Sequence, residues 1–338
     1  MLKKKYYDRL HFFLKITSRP TLINILLILM LFYGCRSADH NLLRSWMADS
    51  NKIKVLSTVK QIGDLAADIG GERIDSWILI RGSIDPHHYE LVKGDGEKFE
   101  RADLILYNGL GLEHGASLSS WLDTSERAVA LGDRIQERFP DRVLYKGDTV
   151  DPHIWMDVSI WSKAADIILE QLILKDPDGT QYYRERAVKL RERMEKTHLE
   201  ILQMVHQIPA SRRYFVTSHD AFQYFTRSYL SEENETNWTK RFAAPEGLAP
   251  DGQLSPVDIQ RMIDYLKQHC ISILFAESNV NRDSLEKIAD ASRELGCRVL
   301  ICEEPLFADA IDGDLHYLDM MLHNAKVLSK HMESHERD

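Results

Sequence analysis

The chain has 338 residues, of which 44% are hydrophobic and 28% charged, and a formal net charge of −9. That length suits two domains of ordinary size, each able to bury a core of its own. An acidic balance argues against a nucleic-acid-binding role and favours, as a diffuse field, the attraction of cations.

The first residues read as a targeting segment. Lys3, Lys4, Lys5, Arg9, Lys15 and Arg19 precede an apolar run over 21–32, which falls short of the ~20 apolar residues a membrane span needs. The run stops at Leu31-Phe32-Tyr33-Gly34-Cys35, which resembles a bacterial lipoprotein processing site. Residues 1–34 are therefore expected to be a signal peptide and 35–51 an anchor and linker, with Cys35 lipidated at the membrane. Removing a segment with six Lys/Arg and one Asp leaves 304 residues and moves the net charge from −9 to −14. Three cysteines remain, Cys270, Cys297 and Cys302; in an exported protein Cys270 and Cys297 could be bridged, or all three could be reduced.

From residue 52 strands and helices alternate. The pattern predicts strands over 53–58, 74–80, 103–108 and 128–131, with helices over 61–69 and around 118–121. The run at 103–108, apolar throughout and bounded by polar residues, suits a buried parallel strand. The alternation restarts at 214, with strands over 214–217, 271–276 and 298–301 and helices over 221–229, 255–269, 282–295 and 315–330. Between the blocks, Tyr183, Ala187, Leu190, Met194, Ile201 and Val205 recur at helical spacing without Pro or Gly. The expected architecture is α/β: two βα-alternating lobes with mainly parallel sheets, 52–178 and 209–338, joined by a rigid connecting helix within 179–208.

One tripeptide occurs twice, as Asp85-Pro86-His87 and Asp151-Pro152-His153, and His219 follows the strand predicted to open the second lobe. Ligands of open α/β sheets bind outside the carboxyl ends of the strands, so these three imidazoles would meet in one inter-lobe cleft. Three convergent imidazoles suit zinc, iron, nickel or copper, and an added carboxylate extends the range to manganese. Glu277 and Asp309 are the candidates for that carboxylate, ahead of Glu303 and Glu304. Asp85, Asp151, Asp157 and Asp220 could steady imidazoles through their second N–H or simply serve turns and caps. His331 and His335, near a charged terminus, read as solvated.

The matching pieces span nearly all of the mature chain: 85–90, 108–113, 151–157, 219–225, 307–311 and 317–324. Together they resemble the metal-specific substrate-binding lipoproteins of bacterial ABC importers, which take up zinc, manganese or iron. That resemblance implies two lobes on one rigid helix and one buried ion, with ligands at His87, His153, His219 and Asp309. Asp309 sits in Phe307-Ala308-Asp309-Ala310-Ile311, a looser match to the family's Phe-Thr-Asp-Ser pattern, so Glu277 is kept as the fallback. His88 falls at a variable position. The stretch 134–150 lacks the histidine-rich loop of many zinc-capturing relatives.

The expected function is capture of one divalent transition metal ion (Zn2+, Mn2+ or Fe2+) as transported ligand. Expected partners are an ABC permease with its ATPase and, through the lipid anchor, a membrane; no nucleic acid is expected, and the protein should be a monomeric non-enzyme. The alternatives are a zinc-dependent hydrolase, which would keep water in place of a fourth protein ligand, and a paired-lobe metallochelatase, which would need no export signal. The chain has no HExxH helix and no nucleophile-elbow serine.

Overall fold

The computed structural model describes residues 41–250, 254–311 and 313–333. The expected signal peptide, Cys35 and His335 lie outside these residues. Two compact units result, Met1–Asn51 and Lys52–Asp338. In the first, residues 41–47 form a helix, α1. Among the described residues no helix is long and apolar enough to cross a membrane.

The second unit opens with a four-stranded parallel sheet in the order β2-β1-β3-β4, formed by β1 (Ile53–Ser57), β2 (Ile74–Ile78), β3 (Leu104–Tyr107) and β4 (Ala128–Ala130). Val55, Leu56, Leu104, Ile105 and Leu106 are buried, as strands covered on both faces must be. The helices of this half are α2 (Lys60–Gly70), α3 (Asp95–Arg101), α4 (Ala116–Thr124), α5 (Leu131–Arg138) and α6 (Val158–Lys175). The pattern did not mark α6, because its apolar side chains are buried over most of its circumference and leave little periodicity to read. A short antiparallel hairpin, β5 (Tyr145–Lys146) with β6 (Thr149–Val150), was also not anticipated.

The long connector is real. Helix α7 runs from Thr180 to Val205 over 26 residues and buries the predicted stripe together with Thr197. It packs on α6, on α2 and on the last helix, α10 (Tyr317–Glu333), so that helices from both halves grip it. Truncating Leu190 to Ala should lower unfolding stability by about 2–5 kcal/mol, as seen by chemical denaturation, because that side chain is buried in this seam.

In the second half the strands shrink to two-residue pairs, β7 (Phe215–Val216) with β8 (Phe242–Ala243) and β9 (Ile273–Leu274) with β10 (Leu300–Ile301). The amide of Phe275 donates to the Val216 carbonyl at 2.9 Å and so sets β9 beside β7. Helices α8 (Pro256–Gln268) and α9 (Asp283–Glu294) complete this half. Ser255 and Asp258 close a reciprocal capping box at the start of α8. The helix expected over 221–229 is instead one turn, Gln223–Phe225, widening into a π turn, Thr226–Leu230. In that wider turn the Tyr229 hydroxyl accepts from the Val158 amide at 3.1 Å and meets His198 Nδ1 at 3.0 Å. Cys270, Cys297 and Cys302 are free thiols.

Candidate metal centre

Both Asp-Pro-His tripeptides fold alike. The Asp85 and Asp151 carboxylates accept the amides of His87 and His153, at 2.8 and 3.0 Å, in the local turn that a short acidic side chain favours. His87 follows β2. His153 follows the β5–β6 hairpin rather than a parallel strand, and the next residues form a short 3-10 turn, Ile154–Met156. His219 lies just beyond β7, its amide held by Glu277 Oε1 at 2.9 Å.

Asp309 sits in the loop after β10, and that loop is fixed from both halves. Gln61 Nε2 donates to the carbonyls of Ala308 (2.9 Å) and Asp309 (3.0 Å), and Trp155 Nε1 donates to Ala308 at 3.0 Å. From α10, the Asn324 side chain brackets the peptide groups of Phe307 at 2.9 and 2.7 Å. The sequence reading gave none of these three a role. Gln61 lies 248 residues from the carbonyl it holds, a separation no local pattern reveals.

These elements bring His87, His153, His219 and Asp309 together, with one potential ligand atom from each lying within 4.8 Å of the others. All four are buried. Every Nε2 faces the Asp309 carboxylate: His219 at 3.2 Å, His153 at 3.4 Å and His87 at 3.7 Å. The Nε2 atoms of His87 and His153 are 3.3 Å apart. Both Asp309 oxygens are buried without a hydrogen-bond partner among the described residues. Buried polar atoms rarely stay unsatisfied, and an ion at the centre of these donors would satisfy them.

Two of the imidazoles are turned inward by carboxylates behind them. His153 Nδ1 lies 2.7 Å from Asp151 Oδ1, and His219 Nδ1 lies 2.6 Å from Glu277 Oε2. For His153 the hydrogen bond to Asp151 fixes the tautomer that leaves Nε2 free to ligate. The fallback residue Glu277 thus stands behind His219, outside the group of four. Of the other aspartates, Asp157 caps α6 and Asp220 pairs with Lys146 and Gln223. Asp85 takes His88 Nδ1 at 2.7 Å. Glu304 is spent on Lys330, and Glu303 is exposed. His331 is not solvated as expected; its Nε2 lies 3.3 Å from Cys302 Sγ.

The electrostatics follow from this layout. Burial pulls the His153 imidazole down, but the carboxylates of Asp151 and Asp309 beside it outweigh burial and raise it to about 9. Burial likewise opposes the charge on His219, and Glu277 with Asp309 overcomes it and holds that ring well above the ordinary range. For His87 burial wins: Asp309 favours the charged ring, but burial, with the charges of His153 and His219, pushes it well below the ordinary range. Burial would raise Asp309, but His219 and His153 keep its carboxyl well below the usual range. Their surroundings thus favour the protonated form of His153 and His219 and the neutral form of His87.

Removing one rear carboxylate, in Asp151→Asn or Glu277→Gln, should weaken metal affinity by roughly 10–100-fold while leaving one ion per chain. Titration against a chromophoric chelator measures this; unchanged affinity in both variants would mean that the carboxylates serve the fold alone.

The chain matches the family described as zinc-uptake complex component A, periplasmic (ZnuA), over residues 55–331. It belongs to that family. Among relatives similar to this ZnuA-family chain, the metal-binding protein YtgA of Chlamydia pneumoniae is 36% identical, over 82% of this chain and 85% of its own. The zinc-binding protein TroA of Treponema pallidum (strain Nichols) is 31% identical, over 83% and 89%. The crystal structure of Fe(III)-bound YtgA from Chlamydia trachomatis superposes with a TM-score of 0.78 at 34% identity, covering 82% of this chain and 97% of that one. The ZnuA family is one of solute-binding proteins of metal uptake rather than of enzymes, and the α/β fold of two lobes about one long helix is shared with these neighbours.

Proposed function

We propose that this chain captures a single transition-metal ion between His87 Nε2, His153 Nε2, His219 Nε2 and the Asp309 carboxylate, and delivers it to the permease of an ABC importer. The observation that carries the reading is the buried Asp309 carboxylate, faced by three imidazole Nε2 atoms and lacking any hydrogen-bond partner among the described residues. Two ligands come from the 52–178 lobe and two from the 209–338 lobe, so the bound ion would tie the lobes together. Cys35 would carry the lipid anchor on the exported face of a bacterial membrane, and the protein would work as a monomer beside a permease with its ATPase. Relatives are named for zinc, for manganese and for metal in general, and one neighbour holds Fe(III); the cargo is drawn from zinc, manganese and iron.

A zinc hydrolase is disfavoured by the same geometry. Catalytic zinc keeps three protein ligands and an open position for water, whereas a fourth donor, Asp309, fills this group. Native mass spectrometry of the metal-stripped chain offered equimolar zinc, manganese and ferrous iron tests the reading. One retained ion per chain is expected, and its identity ranks the metals. No ion, or several held loosely, would reject it.

A further inference from the structure

Two histidines outside the buried group form a second feature, at the surface. His88 and His114 are both exposed. Their rings meet edge to face with centroids 4.8 Å apart, and His114 lies 5.6 Å from the ring of buried His87. The three rings make a continuous track from solvent to the inner cluster. Each outer ring has its Nδ1 engaged locally, His88 with Asp85 at 2.7 Å and His114 with the Gly111 carbonyl at 3.1 Å. Nε2 is therefore the atom each can offer to an ion.

The approach of the two loops is built in. Glu90 accepts from the amides of Ala116 and Ser117 at 2.7 and 2.8 Å, clamping the 85–90 segment to the start of α4. Gly115, next to His114, has no side chain to spare: a Cβ there would stand 2.0 Å from the Tyr89 carbonyl oxygen and 3.3 Å from the His88 carbonyl carbon. The loops can touch only because residue 115 is glycine, and their contact is what sets His114 beside His88.

We propose that His88 and His114, with Asp85 behind His88, form an outer docking site for a first-row divalent metal ion, which passes from there to His87 and the inner cluster. The chemistry is that of borderline imidazole ligation. Two imidazole donors in water hold such an ion weakly, and a weak site on the path concentrates it at the entrance. The proposal rests on the inner group being the final metal site. Because the outer pair lies on the route and not at its end, it should speed entry and exit alike and leave the equilibrium affinity untouched.

The test uses the full chain, zinc as probe, and His88→Gln/His114→Gln, a double variant at exposed positions. In stopped-flow measurements the variant should take up and release zinc roughly tenfold more slowly, at unchanged tight-site affinity. In calorimetry the unaltered chain should bind one tight and one weak equivalent, and the variant should lose only the weak one. His219→Ala should lose the tight equivalent and keep the weak one, so a fault in the inner reading shows separately from a fault in the outer one. Unchanged rates, a weak equivalent that survives in the double variant, or a double variant with weakened tight binding would each overturn the proposal.

Discussion

Replacing Asp309 by Ala should weaken metal binding by roughly a hundred- to a thousandfold. A four-ligand site of this kind gathers about 10–16 kcal/mol, so one ligand carries about 3 kcal/mol or more, and each 1.4 kcal/mol is a factor of ten. Asp309 is also the only donor of the four that brings a negative charge, and all three imidazoles are arranged around it. Its loss should therefore exceed that of either rear carboxylate, and the order of the three effects separates a ligand from a residue that positions one. Competition titration of the purified variant gives the answer. Binding within tenfold of the unaltered chain would remove Asp309 from the site and return attention to Glu277.

Acid should weaken the site from higher pH than isolated histidines would suggest. An unperturbed imidazole titrates near ~6.5, and that value alone would place the loss of affinity on the acid side of neutrality. Here His153 is raised to about 9 and His219 is raised with it. Both carry protons at pH 7 and must shed them before Nε2 can ligate, while His87, lowered, is already neutral. Binding at pH 7 should release about two protons, and affinity should climb by up to about a hundredfold per pH unit until the His153 range is passed. Titration calorimetry in buffers of different ionisation enthalpy counts the protons directly; a release near zero at pH 7 would contradict this charge balance. The exchange also has a physical economy, because two protons leaving and one divalent ion entering keep the buried charge constant.

The same shifts set the stability of the metal-free chain. A folded-state pKa raised above the unfolded one stabilises fully below the unfolded value and is lost as pH rises through the folded value. For His153 that window runs from about 6.5 to about 9, so the metal-free protein should melt at lower temperature as pH rises across it. Asp309, depressed, contributes in the opposite sense, its stabilisation being lost only as pH falls through its low folded value. The metal-bound form, whose ligands are already deprotonated, should lack the His153 window, and a comparison of melting curves with and without zinc tests this.

Much of the molecule was legible in its residues. The stripe from Tyr183 to Val205 set a long helix without reference to anything else, since 3.6-residue periodicity is a local property. The doubled Asp-Pro-His marked two histidines of the buried group because the turn it makes is also local: each aspartate reaches only two residues ahead. What two identical tripeptides do with their aspartates was not local. Asp151 steadies the buried His153, while Asp85 turns away to His88 at the surface, and only the packing of the surrounding loops separates the two. In the second half β7, β9 and β10 fall inside runs the sequence marked as longer strands, and only β8 went unmarked, because a pair of two residues is too short to carry a period. The preference for Asp309 over Glu277 came from the family resemblance and not from local pattern, since both are acids beyond second-half strands. Gln61, Trp155 and Asn324 fix the loop that points Asp309 at the three imidazoles, whereas Glu277 is held beside β7 on the far side of His219. Sequence alone determined which residue types and turns were present, since those follow from chemistry within a few bonds. The tertiary structure decided which carboxylate faces the three imidazoles and which stands behind one of them, because that depends on contacts between residues hundreds of positions apart.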